Sequence, residues 1–142
     1  MDKSELIKKA AENELMQFLG VKIVEASAQR VILTMEVTKK VHQYLGIMNG
    51  GVSLYLAETA ASIGAAAGAD LAKTAPVGIE INGNHLRAVS RGALTVTAIP
   101  LYPGRTMSVW QIDIVNERGK AVCTSRCTIL LRPQPAFPPE PS

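Results

Sequence analysis

Glu58 is the residue whose surroundings most clearly predict chemistry. It is the only charged residue between positions 50 and 68, in a stretch that is otherwise mostly small and apolar. Such a stretch predicts a buried helix, and a buried carboxylate is costly unless it has a partner or a chemical task. We therefore take Glu58 as a candidate catalytic residue. A satisfied polar residue at an interface is the structural alternative at this point.

Two neighbouring features extend this prediction. Ser62 follows Glu58 by four residues, so a helix places both side chains on one face. Asn49, Gly50 and Gly51 mark the start of the helix, where free backbone N–H groups and the positive end of the helix dipole face outward. Glycine lets a carbonyl approach closely, and Asn49 has an amide that can donate to the same oxygen. The pattern predicts an oxyanion site, with a plain helix cap as the alternative.

The rest of the chain predicts the elements that position these groups. An amphipathic helix is expected from a Ser4 cap to a stop at Gly20. Trp110, Ile112 and Ile114 share one face of a later strand. Turn-rich segments join the last four strands and favour tight antiparallel connections. The predicted strands span residues 21–26, 30–37, 77–89, 93–102, 106–115 and 121–131. One long apolar helix and six strands predict an α+β fold in which a curved antiparallel sheet wraps around the helix.

Composition sets the boundaries of the prediction. The chain has 142 residues, of which 47% are hydrophobic and 19% are charged, which is typical of one globular domain. We assign residues 1–131 to that domain and residues 132–142, rich in proline, to a disordered tail. The net charge of +3 is mild and scattered, so no nucleic-acid partner is expected.

The predicted location is cytoplasmic. The N-terminus lacks the apolar core of a signal peptide, and no uninterrupted apolar run reaches membrane-spanning length, so no membrane partner is expected. Cys123 and Cys127 lie four residues apart in a predicted strand, which separates them by ~13 Å. That distance is too long for a disulfide and predicts two free thiols.

Four blocks of sequence together resemble the hotdog-fold acyl-CoA thioesterases. The blocks are residues 43–51, 56–59, 77–85 and 109–112, within a resemblance that covers about residues 20–131. The closest branch includes 1,4-dihydroxy-2-naphthoyl-CoA, 4-hydroxybenzoyl-CoA and phenylacetyl-CoA hydrolases. The resemblance implies a hotdog fold and hydrolysis of an acyl-CoA, with an aromatic acyl group favoured, to the free acid and CoA. The sequence shows no metal-ligand cluster, redox motif or P-loop, so no cofactor and no metal are expected.

The resemblance also implies roles for individual residues. Glu58 matches the helix acid that acts as nucleophile or general base, and Gly50 matches the donor of the oxyanion N–H. Gln43 matches the residue that orients water, and Ser62 matches a position close to the thioester. A further set matches residues that bind substrate or CoA, namely Gly78, Asn84, His85, Arg87, Gly104, Arg105 and Thr106.

The family also builds each site from two subunits. We therefore expect a homo-oligomer, either a dimer or a dimer of dimers, which would be a homotetramer. In that assembly Glu58 faces Gln43 and Gly50 of the neighbouring subunit.

Asn49 departs from the family, which usually has His at this position. Asn can donate a hydrogen bond but cannot carry a proton or a positive charge near neutral pH. Neither histidine is expected to replace it, because His42 lies in a loop and His85 in a distant strand.

Two other functions fit the same fold. A hydratase or dehydratase typically uses a His with an acidic partner, and the lack of a His near Asn49 and Gly50 argues against it. A non-catalytic acyl-CoA binder would explain the loss of the usual His. Retention of Glu58, Gln43 and Gly50 argues against that second alternative.

Overall fold

A computed structural model describes residues 1–133 of the chain. Three helices and six strands follow one another in the described residues. The helices are α1 (Lys3–Glu12), α2 (Glu14–Leu19) and α3 (Gly50–Ala67), and the strands are β1 (Lys22–Ala26), β2 (Val31–Val37), β3 (Thr74–His85), β4 (Gly92–Pro103), β5 (Met107–Val115) and β6 (Ala121–Pro133). A short 3₁₀ helix, Lys39–Val41, lies between β2 and α3.

The six strands form one antiparallel sheet in the order β1-β2-β4-β5-β6-β3. Helix α3 packs against the sheet and contacts every strand from β1 to β6. Its fully buried residues include Leu56, Ala57, Ala60 and Ala61. A helix that is apolar nearly all round needs such a surface, so the hotdog arrangement predicted from the sequence is confirmed.

Strand β5 shows how the alternation of the sequence defines the core. Trp110, Ile112 and Ile114 are at most 2% exposed, whereas Asp113 on the opposite face is exposed. The predicted common face is therefore confirmed. Cys123 and Cys127 on β6 are buried and free, as predicted.

The N-terminal segment differs from the single helix that was predicted. Asp2, rather than Ser4, caps α1: its carboxylate accepts from the Glu5 N–H at 2.8 Å, and Glu5 accepts from the Asp2 N–H at 3.1 Å. Asn13 then caps a second helix by accepting from the Met16 N–H. Gly20, with φ of 76°, ends α2 as expected. No helix within residues 1–133 is long and apolar enough to cross a membrane.

The strand predicted at 77–89 is shifted, and the turn that follows it is not a hairpin. Strand β3 ends at His85 and pairs with β6 at one edge of the sheet, whereas β4 pairs with β2 and β5. Residues 86–91 therefore cross between non-adjacent strands. Arg87, which was predicted to lie on the strand, lies in this connection.

The predicted start of the tail at residue 132 is also wrong. Arg132 and Pro133 belong to β6 and are opposite Ala75 and Thr74 of β3. Pairing with an edge strand extends β6 beyond the point where proline becomes frequent. Residues 134–142, the remainder of the predicted tail, lie outside the described residues.

Gly64 lets the sheet close onto α3. A Cβ at this position would overlap the Trp110 ring and would lie 2.7 Å from its Cζ3 atom. The ring is held by a 2.9 Å hydrogen bond from Nε1 to Ser108 Oγ and is 2% exposed. Because the ring is buried and held by this hydrogen bond, Gly64 sets the distance between α3 and β5.

We expect Gly64→Ala to lower the free energy of unfolding by about 1–3 kcal/mol. A Gly→Ala change inside a helix ordinarily stabilises by roughly 0.5–1 kcal/mol, so the sign is diagnostic. Urea unfolding measures it. The same change in a Trp110→Leu background should cost much less, because the smaller side chain leaves room for the new Cβ. A more stable Gly64→Ala protein would contradict this packing account.

Candidate active site

Six of the predicted site residues divide between two cavities of the chain. The first, of about 390 Å³, lies at the start of α3. The second, of about 600 Å³, lies between α3 and the N-terminal helices. Gln43, Gly50, His85 and Arg87 line the first cavity, whereas Glu58 and Ser62 line the second.

Asn49 fixes the start of α3. Its Oδ1 atom accepts from the Gly51 N–H at 2.7 Å, which makes Asn49 the N-cap. Its own N–H donates to the Val41 carbonyl at 2.8 Å, and the Met48 N–H donates to the Val89 carbonyl. The Gly50 N–H has no acceptor among residues 1–133 and is the backbone donor left for a ligand.

Gln43 is held by a turn at the mouth of the first cavity. Its side-chain Oε1 accepts from the Leu45 N–H, and its backbone bonds to Ile47 and Gly46 close the turn. Gly46 has φ of 81°, which favours glycine there. With Oε1 engaged, the Nε2 hydrogens are what Gln43 has left to donate.

The first cavity contains a contact that the sequence did not predict. His85 lies directly against Gly50: a Cβ on Gly50 would be 2.7 Å from His85 Nε2 and 3.0 Å from Cε1. The prediction that His85 is distant from the start of α3 is therefore wrong. The antiparallel pairing of β3 with β6 brings the end of β3 back to the helix, a non-local effect without a local sequence signal.

Glu58 is half-buried rather than buried, because it faces the second cavity instead of the core. Its carboxylate lies on the backbone of Gly78, where a Cβ would overlap Oε1. Gly78, which the resemblance implies as a substrate contact, thus makes room for the acid in this chain.

Glu58 and Gly50 are too far apart to act together within one chain. They are eight residues apart on one helix, which is ~12 Å at a rise of about 1.5 Å per residue. A rigid helix cannot shorten that distance.

The remaining predicted residues lie elsewhere. Asn84 lines a small polar pocket of about 210 Å³ with residues of β5 and β6. Gly104 lines a third cavity with Gly64 and Gly68, near the C-terminal end of α3. Arg105 and Thr106 follow Gly104 in the same turn. The described chain does not bring these residues to Gly50.

Sequence reasoning missed three residues around the first cavity. Ser53 is 1% exposed and lines the cavity one helical turn after Gly50, a spacing that was visible in the sequence. Arg91 and Arg118 join Arg87 around an adjoining polar pocket of about 310 Å³. No ion pair within residues 1–133 includes any of the three arginines.

The buried thiols are not nucleophiles. Burial, with the charges of Glu58 and Glu80, raises the pKa of Cys127 to about 12. Burial and Asp113 raise the pKa of Cys123. Since the thiolate is the reactive form, both cysteines are inert near neutral pH. Burial also raises the pKa of Tyr55 against the effect of a hydrogen bond with Thr59, so the phenol beside Glu58 stays protonated.

Comparison with known proteins decides the family. The sequence profile of the thioesterase superfamily matches residues 45–123. The chain belongs to this superfamily. It is a thioester hydrolase.

Individual relatives of this thioesterase agree. A 1,4-dihydroxy-2-naphthoyl-CoA hydrolase from Listeria monocytogenes is 42% identical over 118 residues, which cover 83% of this chain and 95% of the relative. A thioesterase structure from Haemophilus influenzae has a TM-score of 0.83 and 35% identity, covering 94% of this chain and 92% of that chain.

Two structures of one Staphylococcus aureus thioesterase are also similar. Their TM-scores are 0.82 and 0.83, with 34% and 33% identity; they cover 84% and 85% of this chain and 99% and 100% of theirs. One has a Glu replaced by Ala and the other a Gln replaced by Ala. The two replaced positions have the same separation in sequence as Gln43 and Glu58.

The raised pKa of Cys127 predicts a stability change in alkaline solution. The folded state holds the thiol proton more tightly than the unfolded state, and this difference stabilises the fold. The stabilisation is complete below the unfolded-state pKa near 9.0 and is lost as pH rises toward 12. Urea unfolding across this range should show falling stability. Cys127→Ala should reduce the slope, and an unchanged slope would contradict the assignment.

Proposed function

We propose that this thioesterase hydrolyses acyl-CoA at sites shared between two copies of the chain. The observation that carries the proposal is the division of the reactive groups. Gln43 and the free Gly50 N–H line one cavity, and Glu58 lines another about 12 Å along α3. Each cavity lacks what the other has. Two copies related by a two-fold axis form two complete sites, each with Glu58 from one copy and with Gln43 and Gly50 from the other.

The exposed edge of β3 supports this assembly. Strand β3 is twelve residues long and lies at the edge of the sheet, with a row of backbone groups that no strand of the described chain pairs. Ile79 on this strand is 54% exposed, and Tyr44 and Leu45 near the first cavity are 93% and 70% exposed. We propose that β3 pairs with β3 of a second copy and that a dimer of dimers is the larger assembly.

The proposed reaction uses these groups in opposed positions. Glu58 of one copy attacks the thioester carbon or deprotonates a water that does so, and Gly50 of the other copy binds the oxygen that becomes negative. Gln43 holds the water or the carbonyl with its free amide hydrogens. The C–S bond then breaks, and water supplies the oxygen of the acid and the proton of the thiol. In the two Staphylococcus aureus structures a Glu and a Gln at the same separation in sequence were replaced, which supports the choice of Glu58 and Gln43 for these roles.

The first cavity and its polar neighbour suit the CoA arm. Arg87 lines both, so a pantetheine chain in the first cavity leads to a pocket that also holds Arg91 and Arg118. The three guanidinium groups form no ion pair within residues 1–133 and outnumber the one carboxylate of the pocket, Glu117. The pocket therefore suits the phosphates of a nucleotide. We propose this pocket for those phosphates; Arg105, in the turn at the opposite end of β4, lies outside it. We propose the cytoplasm as the place of action.

The second cavity suits the acyl group. It is lined mainly by apolar residues of α1, α2 and α3, with Glu58 at its wall. Its volume of about 600 Å³ accommodates an aromatic ring system, which agrees with the hydrolase name of the Listeria relative. We propose that the substrate is an aromatic acyl-CoA and that the N-terminal helices, which line this cavity, determine which acyl groups fit.

The reason for rejecting a hydratase has changed. The sequence argued against a hydratase because no His was expected near Gly50, but in the structure His85 lies there. Membership of the thioesterase superfamily, with relatives named as hydrolases of thioesters, now favours hydrolysis.

We expect Glu58→Gln to lower kcat for thiol release from aromatic and aliphatic acyl-CoAs by about 10²–10⁴-fold, because the amide neither attacks nor accepts a proton. Glu36→Gln is the matched control, since Glu36 is an exposed carboxylate on β2 that lines neither cavity and lies away from the β3 edge. The control should keep wild-type activity. Equal activity of Glu58→Gln, or a wild type that releases no thiol from any acyl-CoA, would contradict the proposed function.

We expect Ala10→Trp to raise KM for an aromatic acyl-CoA by about tenfold and to leave acetyl-CoA hydrolysis nearly unchanged, because the indole fills the acyl cavity. Ala11→Trp is the control, since Ala11 is exposed on the same helix and does not line the cavity. Equal effects of both variants, or of Ala10→Trp on both substrates, would place the acyl group elsewhere.

A further inference from the structure

We propose that His85 donates a hydrogen bond from Nε2 to the thioester carbonyl oxygen held at the Gly50 N–H. His85 thereby supplies the donor that the family usually places at position 49. This inference rests on the proposed function.

Asn49 is committed to a different task. Its Oδ1 atom accepts from the Gly51 N–H at 2.7 Å, which fixes the side chain across the first turn of α3. The same bond uses the Gly51 N–H, so Gly50 offers the remaining free backbone donor at this point of the described chain. A single backbone N–H makes a weak oxyanion site, because such sites typically combine several donors.

The His85 ring lies where a second donor is needed. Nε2 is 2.7 Å from the position of a Cβ on Gly50, which puts the nitrogen within about 4 Å of the Gly50 Cα, given a Cα–Cβ bond of ~1.5 Å. An oxygen at hydrogen-bond distance from the Gly50 N–H is then within reach of Nε2 as well. Any side chain at position 50 would displace the ring, so Gly50 serves His85 as well as the ligand.

The ring is also free to donate. It makes no hydrogen bond with any residue from 1 to 133, unlike His42, whose Nε2 lies 2.8 Å from the Ser90 carbonyl. The first cavity has no carboxylate in its wall, and Arg87 is the one Arg, Lys, Asp or Glu among the described residues that line it. Neither a carboxylate of the cavity wall nor a hydrogen bond within residues 1–133 therefore competes with a ligand for the Nε2 proton. A neutral imidazole with its proton on Nε2 suffices, and no proton has to be transferred.

Two esters of one acyl group separate this role from a contact to the CoA arm. The first is the CoA ester and the second is the N-acetylcysteamine ester, which keeps the thioester and lacks the nucleotide. Removal of one oxyanion donor typically costs about 10²–10³-fold in kcat. We expect His85→Ala to lower kcat by a similar factor on both esters. His85→Gln should recover part of the loss, because its amide keeps an N–H donor.

Arg118→Ala is the reference variant for the loss of a contact to the CoA arm. Arg118 lines the polar pocket next to the first cavity, so its loss should raise KM for the CoA ester. The inference is overturned if His85→Ala behaves like Arg118→Ala, with a KM effect confined to the CoA ester, or if both esters are hydrolysed at wild-type rates. A wild type without activity on either ester overturns the proposed function itself. An inactive Glu58→Gln protein beside an unimpaired His85→Ala protein overturns this inference alone.

Discussion

The rigid spacing of one helix governs the rest of this structure. An α-helix holds residues at a fixed rise, so the backbone of Glu58 stays ~12 Å along the axis from that of Gly50. The same helix is apolar nearly all round and has to be enclosed, which the six-stranded sheet accomplishes. The reactive groups are thus displayed on different parts of one buried element. A second copy is the simplest way to bring the acid and the oxyanion donor to one thioester.

Small residues allow this enclosure and decide what touches the helix. Gly64 admits the Trp110 ring, Gly78 admits the Glu58 carboxylate, and Gly50 admits the His85 ring. In each case a Cβ would overlap the neighbouring group or crowd it closely. The glycines therefore serve close approach between side chain and backbone, at the core, at the acid and at the oxyanion site respectively.

Local patterns predicted much of the fold. The apolar stretch around Glu58, the alternation in β5 and the turn before β6 are short-range signals, and the helix and strands appear where these signals place them. The position of β3 at the far edge is a different matter. It follows from pairing between residues 38 to 59 positions apart, from His85 with Cys123 to Thr74 with Pro133, and no local turn sequence predicts such a pair.

The same limit explains what was missed at the site. Glu58, Gly50 and Gln43 belong to contiguous motifs and were assigned from the resemblance. His85 approaches Gly50 only because β3 returns beside β6, so the sequence placed it at a distance. Arg91 and Arg118 come together from two separate turns. A scattered arginine looks solvated in sequence until the fold places it beside another.

Subunit complementation tests the shared site most directly. Glu58→Gln and Gln43→Ala chains with different affinity tags are co-expressed, and the heterodimer is isolated by both tags. One of its two sites then has both substitutions, whereas the other has neither. The shared-site account predicts about half of the wild-type kcat for the heterodimer, well above either parent homodimer. A heterodimer no more active than the parent proteins would contradict it, because each substitution would then disable the site of its own chain.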